Sequence, residues 1–126
     1  MLTTKELTKG ERLILSRRRS GYTKAEAAEW YGVSLYRYTR WEADEGDDVP
    51  AEQIGRLEPY EACHILRRRA GLKVGELAVL ADISTWWITQ IESGDVPADR
   101  LRAFWDGCRW SSKTAARKAS RVRQGA

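Results

Sequence analysis

The chain has 126 residues, with 22 basic and 18 acidic side chains and a formal net charge of +4. That length is one domain's worth, no stretch approaches the roughly 20 apolar residues of a membrane-crossing helix, and the first residues lack the apolar run of a signal peptide. A soluble, cytoplasmic protein with no membrane partner is therefore expected.

Helices are predicted in chain order at 9–19, 24–31, 35–43 and 51–57, then at 60–69, 74–81, 85–92 and 98–106, with no β-structure. Ala27, Ala28 and Tyr31 fall at helical spacing after Thr23, a residue that caps helix starts. Gly32 stands where that helix should stop, because glycine takes the left-handed backbone without steric cost. Val33-Ser34 then opens a second short helix whose inward residues are Tyr38 and Trp41. Two short helices joined by a tight turn make a helix-turn-helix. Further on, Leu77, Ala78 and Ala81 lie on one helix, Asp82-Ile83-Ser84 form the turn, and Ile88 and Ile91 face in on the next.

The second set repeats the first. Aligning Glu11 to Glu42 with Glu61 to Glu92 gives identities at Glu11/Glu61, Arg17/Arg67, Arg18/Arg68, Arg19/Arg69, Gly21/Gly71, Glu26/Glu76, Ala28/Ala78, Ser34/Ser84, Thr39/Thr89 and Glu42/Glu92. Ordinary residue frequencies give about two. Val49-Pro50-Ala51 returns as Val96-Pro97-Ala98, three residues early, so the first copy carries a loop insertion. A folded unit is used twice. Each copy, roughly 50 residues, is marginal alone, and no linker composition separates them. The expectation is two lobes, 1–57 and 58–110, packed together with limited relative motion, and a tail at 111–126.

Both copies resemble the Xre/Cro, or lambda-repressor-like, family of helix-turn-helix domains. The residues that carry the resemblance are Gly21-Tyr22-Thr23 through Ala28, Gly32-Val33-Ser34 and Tyr38 to Glu42, then Gly71-Leu72 through Leu77-Ala78, Ile83-Ser84 and Ile88 to Gly94. The resemblance implies an all-α fold of two tandem lobes of four to five helices each. It also implies a sequence-specific, double-stranded-DNA-binding regulator, a repressor of the phage or mobile-element type. In that family the second helix of the motif lies in the major groove and the preceding helix crosses the backbone. Mapped onto the first copy, the DNA-facing set is Ser34, Leu35, Tyr36, Arg37, Thr39 and Arg40, with Thr23 and Lys24 toward phosphate. Arg37 and Arg40 are candidates for bidentate contact to guanine. Glu42 and Glu92 fall at a position that the resemblance implies to be structural.

The second copy departs where it should touch DNA. Its equivalents are Lys73, Ser84, Thr85, Trp86, Trp87, Thr89 and Gln90. With Ile88 and Ile91 facing in, Trp86 and Trp87 are expected outside, as an apolar surface for a homodimer, a protein partner or DNA. A protein-binding adaptor (an antitoxin, antirepressor or inhibitor) using that face is the alternative function.

Charge is unevenly placed. Gly107 to Ala126 holds six cations and no acid, which leaves the rest of the chain slightly acidic. Lys113, Arg117, Lys118, Arg121 and Arg123 sit in a Ser/Ala/Gln-rich tail expected to be disordered when free and to contact phosphates. The acidic run Glu42 to Asp48 follows the reading helix and is expected to point away from DNA or to pair with an arginine of its own chain. The arginine triplets 17–19 and 67–69 suit helix C-termini or phosphate contact equally well.

Cys63 and Cys108 are too few and too far apart in sequence for a metal framework, and in the expected cytoplasmic compartment they read as reduced, buried thiols. Cys63-His64 supplies two ligands where zinc takes four. The chain has no phosphate loop, paired-carboxylate arrangement or nucleophile–base spacing. Metal, cofactor, catalysis and a small-molecule ligand are all unexpected.

Overall fold

The computed structural model describes residues 2–107, so the basic tail from Lys113 to Arg123 and the Cys108 thiol lie outside the described residues. Within them the protein is all-helical, with seven α-helices and no strand. The chain divides into two compact units, Thr3–Leu57 and the residues from Glu58 onward. The first contains α1 (Lys9–Ser20), α2 (Lys24–Tyr31) and α3 (Leu35–Glu42), preceded by a 3₁₀ turn at Thr4–Glu6. The second contains α4 (Pro59–Ala70), α5 (Val74–Ala81), α6 (Thr85–Glu92) and α7 (Asp99–Gly107).

Local chemistry explains where these helices begin. The Thr8 hydroxyl accepts from the Glu11 N–H at 3.1 Å while the Glu11 carboxylate takes the Thr8 N–H at 3.0 Å. Thr23 and Glu26 repeat this reciprocal cap on α2. On α4 and α5, Glu61 and Glu76 take the N–H groups of Glu58 and Lys73. The Ser34 and Ser84 hydroxyls cap α3 and α6 by accepting from Arg37 and Trp87, each at 3.1 Å. Helix ends are as specific. Gly32 closes α2 at φ 70°, and Asp82 closes α5 at φ 54°, an aspartate in the conformation glycine holds in the other copy.

Most identities between the copies are thus hydrogen-bonding roles in the scaffold. The strongest is a buried ion pair. Arg17 donates to Glu42 at 2.6 and 3.3 Å, and Arg67 donates to both carboxylate oxygens of Glu92 at 2.8 to 3.1 Å. His64 Nδ1 adds a contact to Glu92 at 2.9 Å. Burial on its own pushes the Glu92 carboxyl up, but the hydrogen bonds from His64 and Arg67 hold it below its ordinary range. Glu42 and Glu92 therefore clamp the last turn of α3 and α6 to α1 and α4. Arg17 and Arg67, the first arginine of each triplet, are thus committed to the fold rather than to phosphate.

The cores follow from the same periodicity. Leu13, Ala27, Ala28, Tyr38, Trp41 and Val49 cluster in the first unit. Leu72, Leu77, Ile83, Ile88, Ile91 and Leu101 cluster in the second around Cys63. Burial pushes the Cys63 thiol up to about 12, which keeps it an inert thiol.

Two features differ from the sequence expectation or between copies. Residues 51–57 are not a helix. Gly55 takes φ 67°, a left-handed backbone that a right-handed helix does not hold, and Arg19 fixes the non-helical course by donating to the carbonyls of Ile54 and Arg56 at 2.7 and 2.6 Å. The second copy does form its counterpart, α7. The other difference is a reciprocal exchange of size. Gly10 donates its N–H to Asp44 at 2.7 Å, and a Cβ there would meet the carbonyls of Trp41 and Glu42 at 2.7 Å. At the matching positions of the second copy the large residue is Tyr60 and the small one is Gly94, whose backbone lies against the Tyr60 ring.

Candidate nucleic-acid interface

Helix α3 is held by its Ser34 cap and by its inward Tyr38 and Trp41, which leaves the opposite face open. Leu35 and Tyr36 are exposed, as are Arg37 and Arg40. Thr39 is exposed too, but its hydroxyl donates back to the Leu35 carbonyl at 2.8 Å. Ser34, Tyr36, Arg37 and Arg40 share a surface concavity with Trp41, Glu45 and Asp48. Thr23 sits at the start of α2 with its hydroxyl accepting from the Glu26 N–H, and Lys24, half-buried, follows it.

The two candidate guanine-reading arginines are already occupied. Arg37 forms an ion pair with Asp48 and lies over the Trp41 ring, 5.6 Å from its centroid. Arg40 donates to Glu45 at 3.1 Å and lies 5.9 Å from the Tyr36 centroid. The Arg37 guanidinium holds the Asp48 carboxyl below its ordinary range, and the hydrogen bond to Glu45 pushes Arg40 further up. Asp44, from the same acidic run, turns the other way and accepts from the Thr8 hydroxyl and the Gly10 N–H. The run thus folds back onto its own chain. The acids are visible in the sequence but their partners are not, because separations of 5 and 11 residues differ from the three or four at which side chains on a helix meet.

In the second unit Ser84 is again the cap, while Thr85 and Lys73 are exposed and Gln90 is half-buried. The two tryptophans part company. Trp86 is 60% exposed, but Trp87 is half-buried and packs against the core, with its indole N–H buried and without a hydrogen-bond partner among the described residues. The expectation that both face outward is corrected here. Trp87 is four residues before Ile91 and so shares its side of the helix, a relation that outweighs its adjacency to the inward Ile88. The exposed apolar surface on α6 is then a single tryptophan, with Val79 on α5 also exposed.

No family model, curated protein or solved structure matches this chain. Among the described residues no helix is long and apolar enough to cross a membrane, and no three His, Cys, Asp or Glu side chains converge as a metal site would need.

Proposed function

We propose that the protein is a sequence-specific DNA-binding regulator, a repressor of the phage or mobile-element type, built from two tandem lobes of the Xre/Cro kind. The observation that carries the reading is the α2–Gly32–α3 unit. A short helix closes on a left-handed glycine, and a serine-capped helix follows with Tyr36, Arg37 and Arg40 on its open face. That is the geometry with which a reading helix meets base edges in the major groove.

The pairs Arg37–Asp48 and Arg40–Glu45 give this reading a specific form. Contact with DNA exchanges a carboxylate of the chain for a phosphate or a base edge at each arginine. Residues 1–57 contain ten cations and ten acids, so the first lobe brings no net charge to the encounter. Attraction to the duplex then falls to the basic tail, with Lys113, Arg117, Lys118, Arg121 and Arg123 contacting phosphates. If both lobes read, the operator is asymmetric. If the second lobe joins two chains, the operator is a palindrome read twice through α3.

Selection from a randomised duplex library at physiological salt, with Arg40→Ala beside the parent, tests the proposal. The parent enriches a defined site, and the variant binds that site on the order of tenfold to a hundredfold more weakly while binding random DNA unchanged. No enrichment above random DNA overturns it.

A second reading, a protein-binding adaptor, is favoured by Trp86 and Val79, two large apolar side chains left 60% and 61% exposed on the second unit. A partner complex of that kind is nearly indifferent to salt, whereas DNA affinity falls steeply with it.

A further inference from the structure

The first unit contains a cavity of about 130 Å³. The repeat supplies an internal control for whether that hollow is built. Four aromatic side chains, Tyr22, Trp30, Tyr31 and Tyr38, line it, and Ser16 and Ser20 contribute hydroxyls from successive turns of α1. The same positions in the second copy are Leu72, Leu80, Ala81, Ile88, Leu66 and Ala70. There Ala70, Leu72 and Ile88 belong to the buried core. On one scaffold, six aliphatic positions have thus become four aromatic rings and two hydroxyls around a space. Tyr38 belongs to the core and Tyr31 packs on it, whereas Trp30, 68% exposed, and Tyr22, 42% exposed, stand at the rim.

Charge defines what the space accepts. Arg17 and Glu52 are the charged groups of the lining. Arg17 is neutralised by Glu42 at 2.6 Å. Glu52 accepts from the Tyr31 hydroxyl and, among the described residues, pairs with no cation. It is here because residues 51–57 stay extended, whereas its counterpart after the second Val-Pro-Ala, Asp99, begins α7. The cavity therefore holds one uncompensated carboxylate among tyrosine and tryptophan rings, whose faces carry negative potential.

We propose that this cavity binds a small alkylated ammonium ion bearing a hydroxyl group, with the cation against the aromatic faces and Glu52 and the hydroxyl toward Ser16 and Ser20. At about 130 Å³ the space is somewhat smaller than the roughly 150 Å³ that encloses benzene, so such a ligand is held with part of it at the rim beside Trp30 and Tyr22. The site is independent of DNA reading and stands or falls separately from it.

The test uses the full chain, ¹⁵N-labelled on tryptophan indoles, titrated with choline and, in parallel, with 3,3-dimethyl-1-butanol, its uncharged isostere. The Trp30 signal, assigned through Trp30→Phe, shifts saturably with choline and responds to the isostere at least about tenfold more weakly. Glu52→Gln lowers choline affinity about tenfold. Ser16→Leu, which installs the second copy's residue, abolishes binding, while an unchanged Trp41 signal in each variant reports an intact first unit. Absence of a saturable shift, equal binding of the isostere, or unchanged affinity in Glu52→Gln with Trp41 intact overturns the proposal.

Discussion

Replacing Glu92 by glutamine strands the Arg67 guanidinium without its counter-charge. The side chains of Glu92 and Arg67 are only 5% and 15% exposed, so water does little to compensate. Removing one partner of a buried ion pair costs about 3–5 kcal/mol. The carboxamide keeps one acceptor oxygen, and Arg67 still donates to the Leu72 carbonyl at 2.9 Å. The loss therefore sits near the lower bound, about 3 kcal/mol. A unit of about fifty residues, at roughly 0.05–0.15 kcal/mol per residue, has about 2.5–7.5 kcal/mol in all. Glu92→Gln thus removes close to half of it or more. Native-state hydrogen exchange suits the question, because it reads α4 and α6 directly without treating two units as one two-state transition. Protection of these helices should fall by the stated amount while that of α1 to α3 holds. A loss below about 1 kcal/mol, the value of an exposed pair, refutes the reasoning. The double variant Arg67→Met, Glu92→Leu should recover most of the stability, because it removes both charges together.

The same carboxylate sets an acid limit. With the folded value of Glu92 lowered from 4.5, its contribution is present above that value and is lost as pH falls through the lower folded value. Unfolding midpoints of the second unit should therefore drop below pH 4.5 in the parent and stay flatter in Glu92→Gln. Gly10→Ala should destabilise the first unit by about 1–3 kcal/mol, since backbone carbonyls rather than flexible side chains meet the new methyl. Gly75→Ala, which meets nothing within 4 Å, should stabilise the second by about 0.4–1 kcal/mol. Thermal unfolding followed unit by unit reads both. Glu45→Gln with Asp48→Asn frees Arg37 and Arg40, and should raise DNA affinity on the order of tenfold at low salt, with the gain shrinking as salt rises. Fluorescence anisotropy at two salt concentrations measures it, and unchanged affinity would show that these arginines do not meet the duplex.

The helices and their ends were legible because short-range chemistry decides them. Thr8 with Glu11, Thr23 with Glu26, Ser34, Ser84, Gly32 and Pro59 are each interpretable within a few residues. Where longer-range partners decide, sequence reading fell short. The apolar pattern at 51–57 predicts a fourth helix in the first copy, yet Gly55 turns left-handed there and Arg19, some thirty-five residues earlier, holds that course through the Ile54 carbonyl. With the inward face assigned to Ile88 and Ile91 alone, the sequence predicts Trp87 outside, whereas its four-residue spacing from Ile91 puts it on the same side of the helix, against the core. The arginines of α3 were read as open, and their partners Glu45 and Asp48 were visible only as a run of charge. The aromatic cavity is marked in the sequence only by aromatic residues opposite aliphatics at 22/72, 30/80 and 31/81, a signal that shows once the two copies are compared for their differences.

The size exchange between Gly10 with Asp44 and Tyr60 with Gly94 bears on how a chain that repeats itself folds without error. Tandem copies risk misassembly, in which a segment of one copy takes its twin's place. Here each first helix fits only its own loop. A phenol ring at position 60 cannot occupy the gap that admits Gly10 alone, and Gly10 offers nothing to cover the bare backbone of Gly94. The pair works as a lock and key written in opposite senses, and a chain engineered to carry Gly10→Tyr with Asp44→Gly would lose that distinction. Its two halves would become interchangeable at this junction, and slow or heterogeneous refolding would be the visible result.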